Sequence, residues 1–472
     1  MANSWATSAV DLHLEPTGPG VRRGLTDALR EAVRTGRLAP GTRLPSSRTL
    51  AADLGIARNT VAEAYADLVA EGWLSARQGS GTRVAAGVPP TPSRQVAPTA
   101  TAPRPRERNR PAHDLLPGLP DLASFPRAEW LKAARRALAA APNQAFDYGD
   151  PRGRVELRTA LAGYLARARG VRTDPDRILI CAGISQGLRI LSALLRARGA
   201  STIAVESYGL YVHWDLLADT GLRTVPLPFD ERGTNPGELT DEAAVLLTPA
   251  HQFPMGGTLH RDRRAAVVDW ARRTGGLVVE DDYDGEFRYD RQPVGALQGL
   301  DPDHVVYAGT ASKSLAPGLR LAWLVLPPDL MEEAAKAKGR VDSCGVLDQL
   351  TLAEFLTSGA YDRHVRAARL RYRRRRDALV AELARRAPQV RATGIAAGLH
   401  VVLRLPPGTE QETLRAAAWQ GLAVHGLHRY RHPEATVERR DALVVGYGTP
   451  PDHAWSGALD ALCAALPESP TA

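Results

Sequence analysis

The sequence predicts a multidomain protein, in which an N-terminal winged helix-turn-helix precedes an α/β domain with a smaller C-terminal α+β subdomain. Three observations predict this organisation. Near the N-terminus, apolar residues recur at helical spacing in short segments that glycines separate. A stretch rich in proline, alanine and arginine follows, without hydrophobic periodicity. Beyond it, short apolar runs alternate with helical segments, which is typical of a mostly parallel sheet covered by helices.

The composition limits the class of protein. With 472 residues the chain is long enough for two or three domains, and a hydrophobic content of 44% supports a full core. No apolar run reaches the length of about 18 residues that a membrane span needs, and no apolar leader is present at the N-terminus. We therefore expect a cytoplasmic protein with no membrane partner. Three widely spaced cysteines, without C-x-x-C spacing, predict reduced and buried thiols.

The net charge of +8 is concentrated at the front of the chain. Residues 20–85 contain ten arginines and six acids, and residues 86–112 contain five arginines and one glutamate. A basic excess of this kind is expected of a nucleic-acid-binding module, although a basic solvated surface is the alternative. We interpret residues 1–85 as a DNA-binding domain and residues 86–112 as a linker.

Residues 1–85 contain three predicted helices and a hairpin. The first helix ends before Gly36, and a serine within Leu44–Arg48 can cap a second helix over Leu50–Leu54. A third helix opens at Arg58–Thr60, where an arginine and two polar side chains can reach base edges in a major groove. Two short strands then flank the glycine-rich segment Arg77–Gly81, which predicts a wing.

Residues 113–472 are predicted to form the second domain. Apolar runs that predict its sheet are Ile203–Val205, Arg223–Leu227, Val245–Thr248, Leu277–Glu280, His304–Ala308 and Leu321–Leu326. The part from about residue 345 to 472 has a long arginine-rich helix followed by strands, and we interpret it as the small α+β subdomain.

One lysine, Lys313, lies in a polar loop between two of these strands. The loop offers hydroxyls, backbone amides and a second cation, from Gly309, Thr310, Ser312, Ser314, Gly318 and Arg320. Such a loop can bind a phosphate, and a lysine with a lowered pKa can form a Schiff base with an aldehyde. Pyridoxal 5'-phosphate (PLP) carries both groups. An ordinary surface lysine in a turn is the alternative.

Two further strand ends support a PLP site. The run Leu277–Val279 leads into acids and a tyrosine, so that Asp281 can face the ring nitrogen of PLP and Tyr283 can donate to its phenolic oxygen O3′. A solvated acidic strand exit or a metal site is the alternative, although no histidine follows at ligand spacing. The run Ile178–Cys181 leads through a tight turn into a helix, whose N-terminus can bind an anion.

Four motifs carry a family resemblance: YGDPRG (Tyr148–Gly153), TPAHQFPMGG (Thr248–Gly257), EDDYDGEF (Glu280–Phe287) and GTASKSLAPGLR (Gly309–Arg320). With them, residues 113 to about 460 resemble a fold-type-I PLP-dependent aminotransferase. The wording of the second and third motifs resembles the MocR/GabR branch of GntR-type regulators. The run from Pro40 to Thr82 resembles the GntR winged helix-turn-helix.

The resemblance implies roles for individual residues and no metal site. Lys313 would hold PLP as an internal aldimine, Asp281 would bind the pyridine nitrogen and Tyr283 would bind O3′. The phosphate would be surrounded by Ile184, Ser185, Gln186, Thr310, Ser312 and Arg320. The DNA contacts would fall on Arg48, Arg58, Asn59, Thr60, Gln78 and Gly79.

Three positions depart from the pattern of catalytic aminotransferases. The segment Tyr208–Tyr211 replaces a Pro-Gly-Tyr that often stacks on the cofactor, and Phe253 replaces an asparagine that binds O3′. Val444 stands in the strand where an arginine usually binds the substrate carboxylate. The arginines that could substitute for it are Arg429, Arg431, Arg439 and Arg440.

The function expected from these features is that of a transcription regulator, not an enzyme. A homodimer would bind a double-stranded DNA operator and sense PLP, or an amine or amino-acid effector, through an aldimine at Lys313, with no catalytic residue required. One alternative is an active aminotransferase with a DNA-binding appendage. Another is a repressor whose second domain is a dimerisation scaffold without a cofactor.

Overall fold

The computed structural model describes residues 20–77, 81–86, 111–289 and 294–467. The chain divides into two compact units, residues 1–110 and 111–472. The predicted DNA contacts Gln78 and Gly79, and most of the predicted linker 86–112, lie outside the described residues. Within the described residues, no helix is long and apolar enough to cross a membrane.

Unit 1 is a three-helix bundle with a β-hairpin, as predicted. Its elements are α1 (Val21–Arg34), α2 (Ser47–Leu54), α3 (Arg58–Ala70), β1 (Leu74–Arg77) and β2 (Gly81–Val84). The side chain of Ser46 accepts a hydrogen bond from the Thr49 N–H at 3.1 Å, which confirms a capping serine before α2. Gly55 follows α2 in the left-handed conformation, with φ of 65°, so the chain turns sharply into α3. Strands β1 and β2 pair in antiparallel fashion.

Unit 2 begins with the elements that build its large subdomain. Their bounds are β3 (His113–Asp114), α4 (Arg127–Ala140), α5 (Val155–Arg169), β4 (Ile178–Cys181), α6 (Ile184–Ala197), β5 (Thr202–Glu206), α7 (Tyr211–Asp219), β6 (Arg223–Leu227), β7 (Phe229–Asp230), β8 (Gly233–Thr234), β9 (Ala244–Leu247), α8 (Arg261–Thr274), β10 (Leu277–Asp281), β11 (Val305–Thr310), β12 (Ala322–Val325), α9 (Met331–Lys338) and α10 (Val346–Thr357). The remaining elements are α11 (Ala360–Arg386), β13 (Arg391–Thr393), β14 (His400–Arg404), α12 (Glu410–Trp419), β15 (Leu422–Ala423), β16 (His425–Gly426), β17 (Ala442–Gly446) and α13 (Trp455–Ala465).

A seven-stranded sheet forms the centre of unit 2, with the order β4-β12-β11-β10-β9-β5-β6. All neighbours pair in parallel except β12, which is antiparallel to β11 and to β4. The strands consist largely of buried Val, Leu and Ile because helices cover both faces. The prediction of a mostly parallel sheet is therefore confirmed.

The small subdomain is built on a second sheet, with the antiparallel order β13-β14-β17-β16. The pairing of β3 with β15 shows that the first strand of unit 2 belongs to this part of the fold. Leu352 of α10 and Tyr361 of α11 are buried in the core of the large subdomain. Tyr372 and Leu383 of α11 are buried in the core of the small one. The chain therefore passes from one subdomain to the other within α11, later than the predicted boundary near residue 345, because α10 and the start of α11 pack on the large sheet. The α+β character predicted for the C-terminal part is confirmed.

The cysteines Cys181, Cys344 and Cys463 are free and buried, as predicted.

A buried carboxylate, that of Asp282, directly follows β10. Both of its carboxylate oxygens accept hydrogen bonds from Arg169, at 2.6 and 3.1 Å, and Tyr307 donates another at 2.8 Å. The side chains of Arg169 and Asp282 are only 6% and 2% exposed. Asp282 therefore anchors the strand end on which Asp281 lies.

We expect Asp282→Ala to lower the free energy of unfolding by about 3 to 5 kcal/mol, because it leaves the Arg169 charge buried without a partner. Urea unfolding measures this change. The control is Glu333→Ala, which removes an ion pair with Arg198 whose side chains are about half exposed, and it should cost less than about 1 kcal/mol. Equal losses in the two variants would show that the buried pair is not a stabilising anchor.

Candidate functional site

A cavity of about 290 Å³ lies at the carboxyl ends of the parallel strands of unit 2. The strand ends bring Glu206 from β5, Asp281 from β10 and Thr310 from β11 to its wall. Ligands bind at this edge in open α/β sheets, because the loops and helix N-termini that follow the strands converge there. The cavity is therefore the candidate site of unit 2.

Most residues that the sequence assigned to a cofactor line this cavity. They are Ile184, Asp281, Tyr283, Thr310, Ser312, Lys313 and Arg320. Ser185 and Gln186 are not part of its wall. The Gln186 side chain instead accepts the Ala182 N–H at 2.6 Å and donates to Ser343 Oγ at 2.8 Å, so it braces the turn before α6.

Lys313 extends into the cavity, where its Nζ donates to the Gly118 carbonyl oxygen at 2.6 Å. Burial lowers the pKa of Lys313, although Asp281 and Asp284 oppose this effect. A lowered pKa leaves more of the amine neutral and nucleophilic. The chain has four lysines, all of them described. Lys132 and Lys336 are exposed and Lys338 forms an ion pair with Asp342, so Lys313 is the lysine of this cavity.

One end of the cavity offers groups that fit a phosphate. Thr310 Oγ1 accepts the Ser312 N–H at 3.1 Å, and the Arg320 guanidinium reaches the turn before α6, where it donates to the Ala182 carbonyl at 2.6 Å. A β-carbon on Gly183 would lie 2.4 Å from Arg320 Nη2, so the absence of a side chain there makes room for the guanidinium. The helix N-terminus, two hydroxyls and an arginine form a cradle for an anion.

We expect Gly183→Ala to raise the dissociation constant for PLP about 10- to 150-fold, because displacing Arg320 removes a charge-assisted hydrogen bond. Equilibrium dialysis measures this constant. Gly199→Ala is the matched control: Gly199 follows the same helix with a φ of 87°, close to the 91° of Gly183, but a β-carbon there meets open space. Equal losses in both variants would attribute the effect to backbone strain instead of to the cradle.

The wall of the cavity also carries Asp281 and Tyr283. Burial raises the pKa of Asp281 to about 7, while the neighbouring Lys313 ammonium lowers it. A cation such as a protonated ring nitrogen facing this carboxyl would favour its ionised form. Burial also raises the pKa of Tyr283, which keeps its hydroxyl protonated and able to donate.

Three residues behind Tyr283 were not predicted from the sequence, namely His251, Asp284 and His400. His251 Nδ1 lies 3.0 Å from the Tyr283 hydroxyl and 2.8 Å from Asp284 Oδ2. His400 lies beside them. One ring nitrogen of each histidine and one carboxylate oxygen of Asp284 lie within 4.8 Å of one another. His400 Nε2 is 3.0 Å from the Pro254 carbonyl. The signal was present, since His251 and Asp284 lie in the TPAHQFPMGG and EDDYDGEF motifs.

Aromatic and aliphatic side chains form another part of the cavity wall. Phe253 packs edge-on against Tyr283 and Tyr430, with ring centroids 5.9 and 5.2 Å apart. Leu210 lines the cavity, whereas Tyr208 is buried against Phe229 outside it. Among the described residues of the wall, the arginines and lysines are limited to Arg320 and Lys313.

Apart from Arg320, no arginine lines the described wall of the cavity, so none of the four candidates replaces the anchor missing at Val444. Val444 itself is fully buried in an apolar cluster. Arg429 donates to the Tyr211 hydroxyl at 2.6 Å, and Arg431 donates to the Val437 carbonyl at 2.9 Å. Arg440 lies 6.0 Å from the ring centre of Phe229, and Arg439 is also outside the wall.

The arginines of unit 1 differ in whether they form ion pairs. On α1, Arg22, Arg30 and Arg34 form ion pairs at 2.7 to 2.8 Å with Asp67, Glu71 and Glu31. Arg48 on α2 and Arg58 at the start of α3 are exposed and form no ion pair within the described part of the chain. Exposed cations without acidic partners remain available to phosphates.

The start of α3 also presents polar groups to solvent. Asn59 is exposed and Thr60 is half-buried. The residue before the helix, Ala57, provides no side-chain cap, so the first N–H groups of α3 are not capped by it. Arg58, Asn59 and Thr60 thus lie together at the N-terminus of the second helix of the helix-turn-helix, with Arg48 on the helix before it.

Comparisons with known proteins agree with both units. Residues 22–84 match the family "Bacterial regulatory proteins, gntR family", and residues 119–439 match "Aminotransferase class I and II". The pyridoxine biosynthesis regulator PdxR of Corynebacterium glutamicum is 35% identical over 438 residues, which cover 92% of this chain and 93% of PdxR. The probable rhizopine catabolism regulatory protein MocR of Rhizobium meliloti is 33% identical, with 87% of each chain covered.

Among solved structures, a kynurenine aminotransferase of Pyrococcus horikoshii has a TM-score of 0.66 at 24% identity, covering 75% of this chain and 90% of that one. This likeness shows the aminotransferase fold of unit 2. Together with the two family matches, it defines a DNA-binding regulator fused to an aminotransferase-like domain. The chain belongs to the MocR branch of the GntR-type transcription regulators.

Proposed function

We propose that the protein is a transcription regulator that binds PLP in the cavity of unit 2 and uses this occupancy as its signal. The observation that carries the proposal is the composition of the cavity wall. It combines a buried amine, an anion cradle and a buried acid, but its described residues offer no second arginine for a substrate carboxylate. Such a wall is suited to the cofactor itself more than to an amino acid.

The residues of this chain would hold PLP at four points. Arg320, Thr310, Ser312 and the N-terminus of α6 would bind its phosphate. Asp281 would accept the hydrogen of the ring nitrogen, and Tyr283 would donate to the phenolic oxygen. Lys313 would supply the amine. When bound, PLP supplies an aldehyde that condenses with an amine and a protonated ring that withdraws electrons.

The residues of the cavity wall also indicate which effector the protein senses. An amino-acid effector would lose a bidentate arginine contact to its carboxylate, worth about 1.5 to 3 kcal/mol. Occupancy by PLP therefore has more support than an amino-acid signal. The name of the PdxR relative, a pyridoxine biosynthesis regulator, is consistent with that choice.

On the DNA side, Arg48 would contact a phosphate, and Arg58, with Asn59 and Thr60, would read base edges in the major groove. Gln78 and Gly79 would contact DNA from the wing. We propose that the regulator acts as a homodimer, so that two copies of α3 read two half-sites.

The test is the affinity of the full chain for DNA with and without PLP. A duplex selected from a random pool by the purified protein serves as the probe, and fluorescence anisotropy in an amine-free buffer gives the dissociation constant. We expect saturating PLP to change this constant about 5-fold or more in wild type. In Lys313→Ala, which retains only the phosphate and ring contacts, the same change should require a higher PLP concentration. An unchanged constant in wild type would contradict sensing by occupancy.

The second candidate is a working aminotransferase, which the structural likeness to aminotransferases favours. Incubation of the PLP-loaded protein with amino donors and 2-oxo acids separates the two functions. Sustained turnover would support the enzyme, and at most one equivalent of product per chain would support the regulator.

A further inference from the structure

The Tyr283 hydroxyl and the Asp284 carboxylate both contact the same nitrogen, His251 Nδ1. His251 Nδ1 is 3.0 Å from the Tyr283 hydroxyl and 2.8 Å from Asp284 Oδ2. The side chains of His251 and Asp284 are each 2% exposed, so water does not compete for these contacts. The position of the hydrogen on His251 therefore decides what Tyr283 can do.

The geometry determines where that hydrogen lies. A carboxylate only accepts hydrogen bonds, so the contact with Asp284 is favourable when His251 carries its hydrogen on Nδ1. A bare Nδ1 would instead direct its lone pair at a carboxylate oxygen. The other nitrogen, Nε2, is buried and has no hydrogen-bond partner among the described residues, which agrees with the hydrogen being on Nδ1. This single N–H is then shared between the Asp284 carboxylate and the Tyr283 oxygen, and both oxygens accept it.

The ring of His251 is held in place from its other side. A β-carbon on Gly398 would lie 2.2 Å from His251 Cε1 and 2.6 Å from Asp284 Oδ2, so the backbone of the small subdomain packs directly on the pair. The Gly398 carbonyl accepts a hydrogen bond from the Tyr447 hydroxyl at 2.8 Å, which fixes that backbone. The pair is thus part of the packed contact between the two subdomains.

We infer that His251 is a positioning residue: held by Asp284, it donates to the Tyr283 oxygen and leaves the Tyr283 hydroxyl hydrogen free to point into the cavity. This inference rests on the proposed function, because the acceptor in the cavity is the phenolic oxygen of PLP. His251 would thereby make Tyr283 a donor to the cofactor without touching the cofactor itself.

The first test is the pH midpoint of the visible absorbance band of the PLP-loaded protein. A hydrogen bond donated to the phenolic oxygen stabilises its ionised form, so losing it should raise the midpoint. We expect Tyr283→Phe to raise it by about one pH unit, and His251→Phe to raise it in the same direction by about half a unit or more. The double variant should show no further rise beyond Tyr283→Phe, because both act through one hydroxyl.

The matched control is His425→Phe. His425 Nδ1 also faces a tyrosine hydroxyl, that of Tyr430 at 2.7 Å, but His425 does not contact Tyr283 or Asp284. The pH midpoint of the absorbance band in His425→Phe should equal that of the wild-type protein. The titratable groups around Tyr283, which are Asp281, Asp284, Glu206, Lys313 and the buried His400, are all retained in the control and in His251→Phe.

The second test needs no cofactor. Proton NMR of the cofactor-free protein should show a low-field resonance from the His251 Nδ1–H beside Asp284. This resonance should be absent in His251→Phe and shifted or absent in the isosteric variant Asp284→Asn, which serves if His251→Phe does not fold. A wild-type protein without the resonance would overturn the inference.

The outcomes separate the inference from the proposed function. An unchanged midpoint in His251→Phe beside a raised midpoint in Tyr283→Phe overturns the positioning role and leaves PLP binding intact. If the wild-type protein develops no visible band with PLP, the proposed function fails, and the NMR result alone decides the state of His251.

Discussion

Replacing Lys313 with alanine is expected to abolish the visible absorbance band that PLP produces in the wild-type protein. The side chain is the one lysine of the cavity, and its amine is the group that condenses with the aldehyde. PLP held only by its phosphate and ring contacts keeps the spectrum of the free aldehyde. Absorbance spectra of wild type and Lys313→Ala, each with one equivalent of PLP, measure the difference.

The control for this prediction is Lys336→Ala, which removes an exposed lysine paired with Glu332. Its spectrum should match that of wild type. A band that persists in Lys313→Ala and disappears in another lysine variant would place the cofactor elsewhere and remove the basis for the assigned cradle.

The second large effect is expected from Arg58→Ala on DNA binding. Arg58 is exposed at the start of α3 and has no acidic partner among the described residues. Its guanidinium is therefore available to form hydrogen bonds with a base. Loss of an arginine bonded to a guanine costs about 1 to 3 kcal/mol, which corresponds to a dissociation constant about 5- to 150-fold higher. Anisotropy with the selected duplex and with a scrambled duplex measures both affinity and discrimination.

Arg34→Ala is the matched control for Arg58. Arg34 is an exposed arginine of the same unit, but it is paired with Glu31 one turn away at 2.7 Å. Its removal should leave the affinity for the selected duplex nearly unchanged. Equal losses in the two variants would mean that only the net positive charge of unit 1 contributes to binding.

Much of the fold could be predicted from the sequence because its signals are local. The buried strands are continuous apolar runs, and the polar residues that follow them, such as Asp281 and Thr310, must meet at one edge of a parallel sheet. The capping serine before α2 and the glycine after it are equally local signals. Strand ends of this kind led directly to the cavity.

What the sequence did not reveal depends on contacts between distant segments. The side chain of Gln186 bonds Ser343, 157 positions away, and so faces away from the cavity. The pair of His251 and Asp284 forms only when two strand-following loops and Gly398 come together. The partners of Arg429 and Arg431 could not be predicted either, because a guanidinium can donate a hydrogen bond to any nearby oxygen.

The most direct test of the central claim, that Lys313 binds PLP in a DNA-binding regulator, is chemical mapping of the bound cofactor. The full chain is loaded with PLP, reduced with borohydride to fix the bond between lysine and cofactor, digested and analysed by mass spectrometry. With four lysines in the chain, the assignment is unambiguous. We expect one pyridoxyl group per chain, on the peptide that contains Lys313. An unlabelled Lys313, or label distributed over Lys132 and Lys336 on the surface, would contradict it.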